Sequence, residues 1–207
     1  MYVVLLTGGL ASGKDTVSAH LAQLGATVLD LDLMAREVQA EEPVLEGLTS
    51  AFGSDIVAPD GSLDRPLLAR RAFADRRSAE RLNAICWPPV KERVADYLLG
   101  STCQPRNEGA LLVVQVPLLA EAPDLIDLAD EVLAVCADEP LRFKRAVARG
   151  MDPEDARNRI ALQASDEQRR AISDTVFLNN GGLDELRAQV DAWYADRIAD
   201  RIEGTKL

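Results

Sequence analysis

The sequence predicts an α/β protein built on a parallel sheet and interrupted once by a helical lobe. Three observations carry this reading. Five apolar runs bounded by turn residues, at 2–6, 26–30, 110–116, 131–136 and 175–178, are separated by long helical patterns. That alternation favours parallel strands joined by helical crossovers. Runs such as Leu111-Leu112-Val113-Val114 are apolar without alternation, as expected of strands covered on both faces. The first run leads directly into Gly8-Gly9-Leu10-Ala11-Ser12-Gly13-Lys14-Asp15-Thr16, which reads as a phosphate-binding loop at a strand-to-helix junction.

The bulk properties bound the possibilities. A chain of 207 residues is long enough for one core with a lobe or lid inserted in it. Hydrophobic residues make up 47% of it, which excludes a disordered chain. No apolar stretch approaches the ~18 residues of a membrane span, and the first residues enter a strand with no leader-like pattern. Cys86, Cys103 and Cys136 are scattered and form no CxxC pair, so neither a zinc site nor a disulfide framework is expected, and a reducing cytoplasm fits best. A net charge of −11 argues against a nucleic-acid surface. Positive charge is nevertheless concentrated in two places. Residues 64–81 carry six arginines against three carboxylates, and 141–159 carry Arg142, Lys144, Arg145, Arg149, Arg157 and Arg159 against three. Such islands either hold small phosphorylated ligands or form solvated helix faces with ion pairs.

Taken in order, the loop comes first. Gly8 and Gly13 permit positive φ and let the backbone approach a ligand closely. Successive amides make an anion cradle, the helix starting near Gly13 adds its unpaired donors and dipole, and Lys14 reaches the β- and γ-phosphates. Gly9, Ala11, Ser12, Gly13, Lys14, Asp15 and Thr16 are thus the candidate nucleotide-binding residues. The pattern has one departure. The residue after the lysine is usually Ser or Thr, with its hydroxyl on Mg²⁺; here it is Asp15. His20, the only histidine, lies beside Val17 and Leu21 and is read as structural.

The second strand closes with Asp30 and Asp32. Ligands of parallel sheets bind at the carboxyl ends of strands, so Asp32 is expected to face the same crevice as Lys14. A carboxylate there can take the proton of an attacking hydroxyl. The other reading, preferred for Asp30, is a cap on the helix starting near Leu33. The interval 53–109 has the turn Pro59-Asp60-Gly61, helical stretches at 64–73, 77–85 and 88–99, and no strand; Thr102–Gly109 reads as a loop back to the sheet. After the third strand comes Pro117-Leu118-Leu119-x-Glu121, where Glu121 either binds a substrate group or caps the next segment. Arg145 and Arg149 fall one helical turn apart, and together they either close over a polyphosphate or line a surface helix. Gly150 marks the helix end and a hinge. Asn179-Asn180-Gly181-Gly182 is a turn by composition, with a contact to a nucleotide base as the alternative. The final helix, 183–202, carries Leu186, Val190, Trp193 and Ile198 as a core-facing stripe.

On these residues the chain resembles the dephospho-coenzyme A kinases nearly end to end. The markers are Leu-Thr-Gly-Gly-x-x-Ser-Gly-Lys-x-Thr (6–16), Leu-Gly-x-x-Val-x-Asp-x-Asp-x-x-Ala-Arg (24–36), Phe-Gly (52–53), Asp-Gly-x-Leu-Asp-Arg (60–65), Val-Pro-Leu-Leu-x-Glu (116–121), Arg-x-x-x-Arg (145–149), Ala-x-Gln (161–163) and Asn-Asn-Gly (179–181). Other nucleotide kinases share the loop but not this set.

The resemblance implies a three-layer P-loop kinase core with a five-stranded parallel sheet over 1–52 and 110–207. It also implies a helical lid at about 141–159 and an inserted helical substrate-binding lobe over 53–109. It implies transfer of the ATP γ-phosphate to the ribose 3′-hydroxyl of dephospho-CoA, the last step of coenzyme A synthesis. Asp32 is then the base, with Lys14 and Arg145 in the chemistry, and Arg149 and Asn180 at the nucleotide. Arg65, Trp87 and Glu121 join Asp32 at the substrate, and Asp15 stands at the Mg²⁺. The partners implied are small molecules only, with no nucleic acid or membrane, for a chain acting as a monomer or small homo-oligomer. Four positions depart from the family pattern: Asp15 for Ser, Trp87 for the His usual before Pro88, Gly150 for an acidic residue, and Leu178 for Asp. Asp15 and Trp87 keep a second expectation open, that of a catalytically impaired paralogue binding nucleotide or CoA as a regulatory module.

Overall fold

A computed structural model describes residues 1–99, 111–116, 119 and 123–199. Five strands form one sheet: β1 (Tyr2–Gly8), β2 (Thr27–Asp30), β3 (Leu111–Gln115), β4 (Glu131–Cys136) and β5 (Thr175–Leu178). Their order is β2-β3-β1-β4-β5 and every pairing is parallel. All five expected strands are present, and β1 lies at the centre, so the loop that leaves it opens from the middle of the sheet. Glu121 and the Thr102–Gly109 segment lie outside the described residues.

The chain divides into two compact units. The first comprises Met1–Asp30, Pro105–Met151 and Gln163–Leu207. It holds the sheet with helices α1 (Lys14–Gln23), α6 (Glu139–Ala148), α8 (Asp166–Ala171) and α9 (Leu183–Tyr194), to be read with the second unit's α2–α5 and α7 in chain order. Its core follows the two side-chain periodicities. Alternate strand residues Val4 and Leu6, Leu111 and Val113, and Leu133 and Val135 meet Val17 and Leu21 of α1 and Leu186, Val190 and Trp193 of α9. The expected stripe of the last helix is therefore core, including Ile198. His20 is structural as well, its Nε2 lying 2.6 Å from Asp191 Oδ1 across α1 and α9.

One buried carboxylate fixes α9 to the sheet. Glu131 accepts from Trp193 Nε1 at 2.9 Å, Thr175 Oγ1 at 2.7 Å and Tyr2 Oη at 2.9 Å. Glu131→Ala removes the acceptor that Trp193 Nε1 and Thr175 Oγ1 share. The expected cost is about 3 kcal/mol, read as a melting point lower by about 6–12 °C for a chain of this size.

The second unit comprises Leu31–Gln104 and Asp152–Leu162. Its helices are α2 (Leu31–Val38), α3 (Glu42–Phe52), α4 (Arg65–Ala72), α5 (Arg76–Leu99) and α7 (Pro153–Leu162). It takes in more of the chain than the interval 53–109 read from the sequence. The stretches expected at 77–85 and 88–99 are one continuous helix that carries Pro88 and Pro89 inside it. Proline removes an amide donor and crowds the preceding turn, which is why the sequence reads as a break. Leu82, Cys86, Val90 and Val94 recur every four residues and are all buried, and that apolar stripe carries the helix through the prolines.

The segment Asp60-Gly61-Ser62-Leu63-Asp64-Arg65 has a local mechanical explanation. Gly61 takes φ +83°, and Asp60 Oδ1 accepts from Ser62 N and Oγ. Val57 and Leu63 then form an antiparallel bridge. Asp64 caps α4 by accepting from Leu67 N at 2.9 Å. Arg71 makes a two-pronged pair with Asp55, both contacts at 2.6 Å, and this guanidinium holds the Asp55 carboxyl below the usual carboxylate range. In this island Arg71 is held in an ion pair, and Arg65, Arg71 and Arg81 donate to main-chain oxygens at the ends of α2 and α3.

Candidate nucleotide-binding site

The loop between β1 and α1 is assembled by backbone geometry. Gly13 adopts φ +106° and precedes α1 without any side-chain cap. The first helical bonds are Thr16 N and Val17 N to Gly13 O. The N-terminal donors of α1 are thus left for an anion. Gly8 does not adopt a positive φ; Ala11 does, at +56°. Gly8 is glycine for space, since a Cβ there would lie 2.6 Å from Ser12 Oγ and 2.9 Å from Val135 O.

Lys14 is 8% exposed. Its ammonium donates to Gln115 Oε1 at 2.7 Å and lies 3.4 Å from Asp15 Oδ1. The Asp15 side chain is 76% exposed, so one carboxylate oxygen stands at the open side of the loop beside the lysine. Carboxylate oxygen is a hard donor suited to Mg²⁺. Among the described residues no group of three or more His, Cys, Asp or Glu is placed to hold a metal ion. The single exposed carboxylate of Asp15 fits an ion that takes one protein ligand and completes its shell with phosphate oxygens and water.

Two further side chains fix the loop, Asn179 and Gln163, to which the sequence motifs alone assign no contact with it. Asn179, buried behind β5, donates from Nδ2 to Ser12 O at 2.6 Å. Its Oδ1 and main-chain oxygen accept from Arg145 Nη2 at 3.3 Å and Nη1 at 3.0 Å. Asn179 thus ties Arg145 to the phosphate loop. Gln163 Oε1 accepts from Leu10 N at 2.8 Å and holds the loop tip. Both residues stand inside the quoted motifs Asn-Asn-Gly and Ala-x-Gln. Their signal was a short polar side chain next to a turn, which composition alone assigns to the turn itself.

The other expected residues distribute as follows. Gly9, Ala11, Ser12, Gly13, Lys14, Asp15 and Thr16 form the loop, and Arg145 joins them through Asn179. Arg149 is exposed at the C-terminal cap of α6, just before Gly150 at φ +89°. Asn180 exchanges hydrogen bonds with Asp138, both at 2.9 Å, and closes the turn after β4. Asp32, Arg65 and Trp87 belong to the helical unit. Asp32 is the second residue of α2, directly after the carboxyl end of β2. Arg65 donates to Gln39 Oε1 at 2.6 Å and to Arg36 O at 2.8 Å, and so holds the far end of α2. Trp87 is half-buried in α5. Cys86 and Cys136 are free and buried, and burial pushes both thiols up, away from the reactive thiolate.

Comparison with known proteins places the chain in a family. The family model described as dephospho-CoA kinase matches residues 2–185. The dephospho-CoA kinase of Corynebacterium jeikeium is 44% identical over 197 residues, covering 94% of this chain and 98% of that one. Among solved structures, TT1252 from Thermus thermophilus superposes with a TM-score of 0.72 at 30% identity, covering 95% of this chain and 97% of that one. A dephospho-CoA kinase from Campylobacter jejuni shares the fold, with a TM-score of 0.68 at 19% identity over 96% of this chain and 98% of that one. The match of family model and relatives over nearly the whole chain shows that it belongs to the dephospho-CoA kinase family.

Proposed function

We propose that this chain is an active kinase that transfers the γ-phosphate of ATP to the ribose 3′-hydroxyl of dephospho-CoA. The observation that carries the reading is the complete phosphate cradle: an uncapped α1 behind a left-handed Gly13, with Lys14 held at the loop's open side. The acceptor is inferred from the relatives, whose printed name is dephospho-CoA kinase. Their high identity over nearly the whole chain favours this reading over an impaired regulatory paralogue.

In this reading Asp32 takes the proton from the attacking 3′-hydroxyl. Lys14 leaves Gln115 and binds the β- and γ-phosphates. Arg145, pre-set by Asn179, and Arg149 offset the charge that develops on the transferring group. Arg65 acts through α2, whose last turn it holds, and Trp87 and Glu121 serve the acceptor. Asn180 supports the nucleotide end of the site by closing the turn with Asp138. The compartment is the cytoplasm, and the working species is a monomer or small homo-oligomer.

Asp15 is the residue that would hold Mg²⁺, and the ion would supply neutralisation of the phosphate charge. P-loop phosphotransferases commonly take their metal on a loop hydroxyl and a strand-end carboxylate. In this chain the loop residue is the carboxylate Asp15, and the residue ending β3, which accepts from Lys14 Nζ, is the neutral Gln115. Carboxylate and neutral oxygen have in effect exchanged places, which supports a metal role for Asp15.

An acceptor panel tests the assignment. With ATP and Mg²⁺ fixed, dephospho-CoA is expected to drive stoichiometric ADP release with formation of CoA, while a nucleoside monophosphate gives a rate at least about 100-fold lower, the discrimination expected when a site's polar groups lose their partners. Equal turnover of the nucleoside monophosphate would refute the assigned acceptor.

A further inference from the structure

A second, buried cationic cluster lies against the loop and has no part in the proposed function. Arg142 of α6 and Arg169 of α8 are 4% and 2% exposed. Arg142 Nε donates to Ala137 O at 3.0 Å, its Nη2 stands 4.0 Å from Asp166 Oδ1, and its Nη1 has no partner among the described residues. Arg169 Nη1 bonds the same Asp166 oxygen at 3.1 Å, and the other oxygen of Asp166 accepts from Ala137 N. Two buried guanidiniums therefore share one carboxylate, which also accepts from the Ala137 amide.

Both guanidiniums converge on Gly9. A Cβ built there would lie 2.3 Å from Arg142 Nη1 and 3.1 Å from Arg169 Nη1. Gly9 is thus glycine because the arginines occupy the space of a side chain. Burial, together with the neighbouring Arg142 charge, pushes the Arg169 guanidinium below its usual range, as expected where positive charge is in excess. Buried charge of this kind calls for a counter-charge, and an orphaned buried N–H calls for an acceptor. One further oxyanion at Gly9 supplies both.

We propose that Arg142 and Arg169 form a subsite for the terminal phosphate of the nucleotide, so that this side of the loop distinguishes a triphosphate from a diphosphate. The order of the phosphates points to the terminal one. The inner phosphates belong with the helix donors after Gly13, and Gly9 is at the opposite, strand-proximal end of the loop. Arg142 Nη1 and Arg169 Nη1 then donate to one phosphate oxygen, a charge-assisted arrangement, while Asp166 keeps the pair from repelling. The inference rests on the reading of residues 8–16 as the ATP loop.

Titration calorimetry of the full chain with ADP and with a non-hydrolysable ATP analogue tests it. Arg142→Gln is expected to weaken the triphosphate analogue by about 10- to 100-fold, the range of one charge-assisted hydrogen bond, and ADP by less than about threefold. Arg142→Lys, which keeps the charge, is expected to recover part of the loss. Should Arg142→Gln fail to fold, Arg169→Gln removes the other guanidinium of the pair and is expected to give the same triphosphate-selective loss. An equal loss for both nucleotides means that the arginines merely support the loop, and overturns the proposal, as does no loss at all. Lys14→Ala serves as the separate control. If it leaves both affinities unchanged, the loop reading fails; if it weakens both while Arg142→Gln shows no selectivity, only the subsite fails.

Discussion

Asp32→Asn is expected to lower kcat for phosphorylation of dephospho-CoA by about 10²–10⁴, the usual contribution of a positioned general base, while KM for both substrates moves less than about threefold. The reasoning is specific to the position. Asp32 is the second residue of α2 and follows the end of β2 by two residues, in the region where parallel sheets bind their ligands. Asparagine preserves shape and can still hydrogen-bond a hydroxyl, but it cannot take its proton. The competing account is local. A carboxylate in the first turn of a helix favours the dipole by about 0.3–1 kcal/mol, so a purely structural Asp32 would show only a small loss of melting temperature. Steady-state kinetics and a thermal melt on the same variant separate the two: a preserved kcat with a lowered melting point would sink the base assignment.

The affinity for ATP is expected to depend on Mg²⁺ more steeply than in relatives with a loop serine, by at least about tenfold. Two negative groups about 4 Å apart cost on the order of 1 kcal/mol in water and about 4 kcal/mol at an effective dielectric near 20. Asp15, with its side chain 76% exposed, falls between these limits, and salt lowers the figure further. Asp15 also faces Lys14 Nζ at 3.4 Å, so without a cation it competes with phosphate for the lysine. Asp15→Ser removes both effects. Calorimetry in EDTA is expected to show that variant binding ATP about tenfold more tightly than the parent chain, with a smaller gain on adding Mg²⁺. An unchanged metal-free affinity would show that Asp15 does not meet the phosphates.

Much of this arrangement is legible in the sequence, and for stated reasons. A strand buried on both faces is a run of apolar residues, so all five strands could be located. The loop is legible because its requirements are backbone requirements, met at Gly13 by a left-handed φ of 106°. At Gly8 the requirement for glycine is crowding from Val135 and Ser12, which depends on tertiary neighbours and is not legible in the loop motif. The prolines of α5 read as a break because local chemistry says so, whereas the stripe Leu82, Cys86, Val90 and Val94 acts only once packed. Asn179 was hidden by its neighbours: in Asn-Asn-Gly-Gly the composition announces a turn, and only the fold shows that the first asparagine reaches Ser12 O and Arg145 while the second merely closes on Asp138. The arginines of 141–159 illustrate the same limit. Equal in sequence, they divide into the buried Arg142, the tethered Arg145, the exposed Arg149 and Arg159, whose guanidinium stacks 4.9 Å over Phe73.

The central claim is that an Asp-bearing loop still serves an active kinase for dephospho-CoA. Its most direct test is ADP release by the full chain with ATP and dephospho-CoA across a Mg²⁺ titration. The account predicts turnover that requires both the acceptor and the metal, rises steeply with Mg²⁺ and yields one CoA per ADP. Absence of turnover at every Mg²⁺ concentration, with ATP still raising the melting temperature, would contradict it and identify the chain as a nucleotide-binding paralogue.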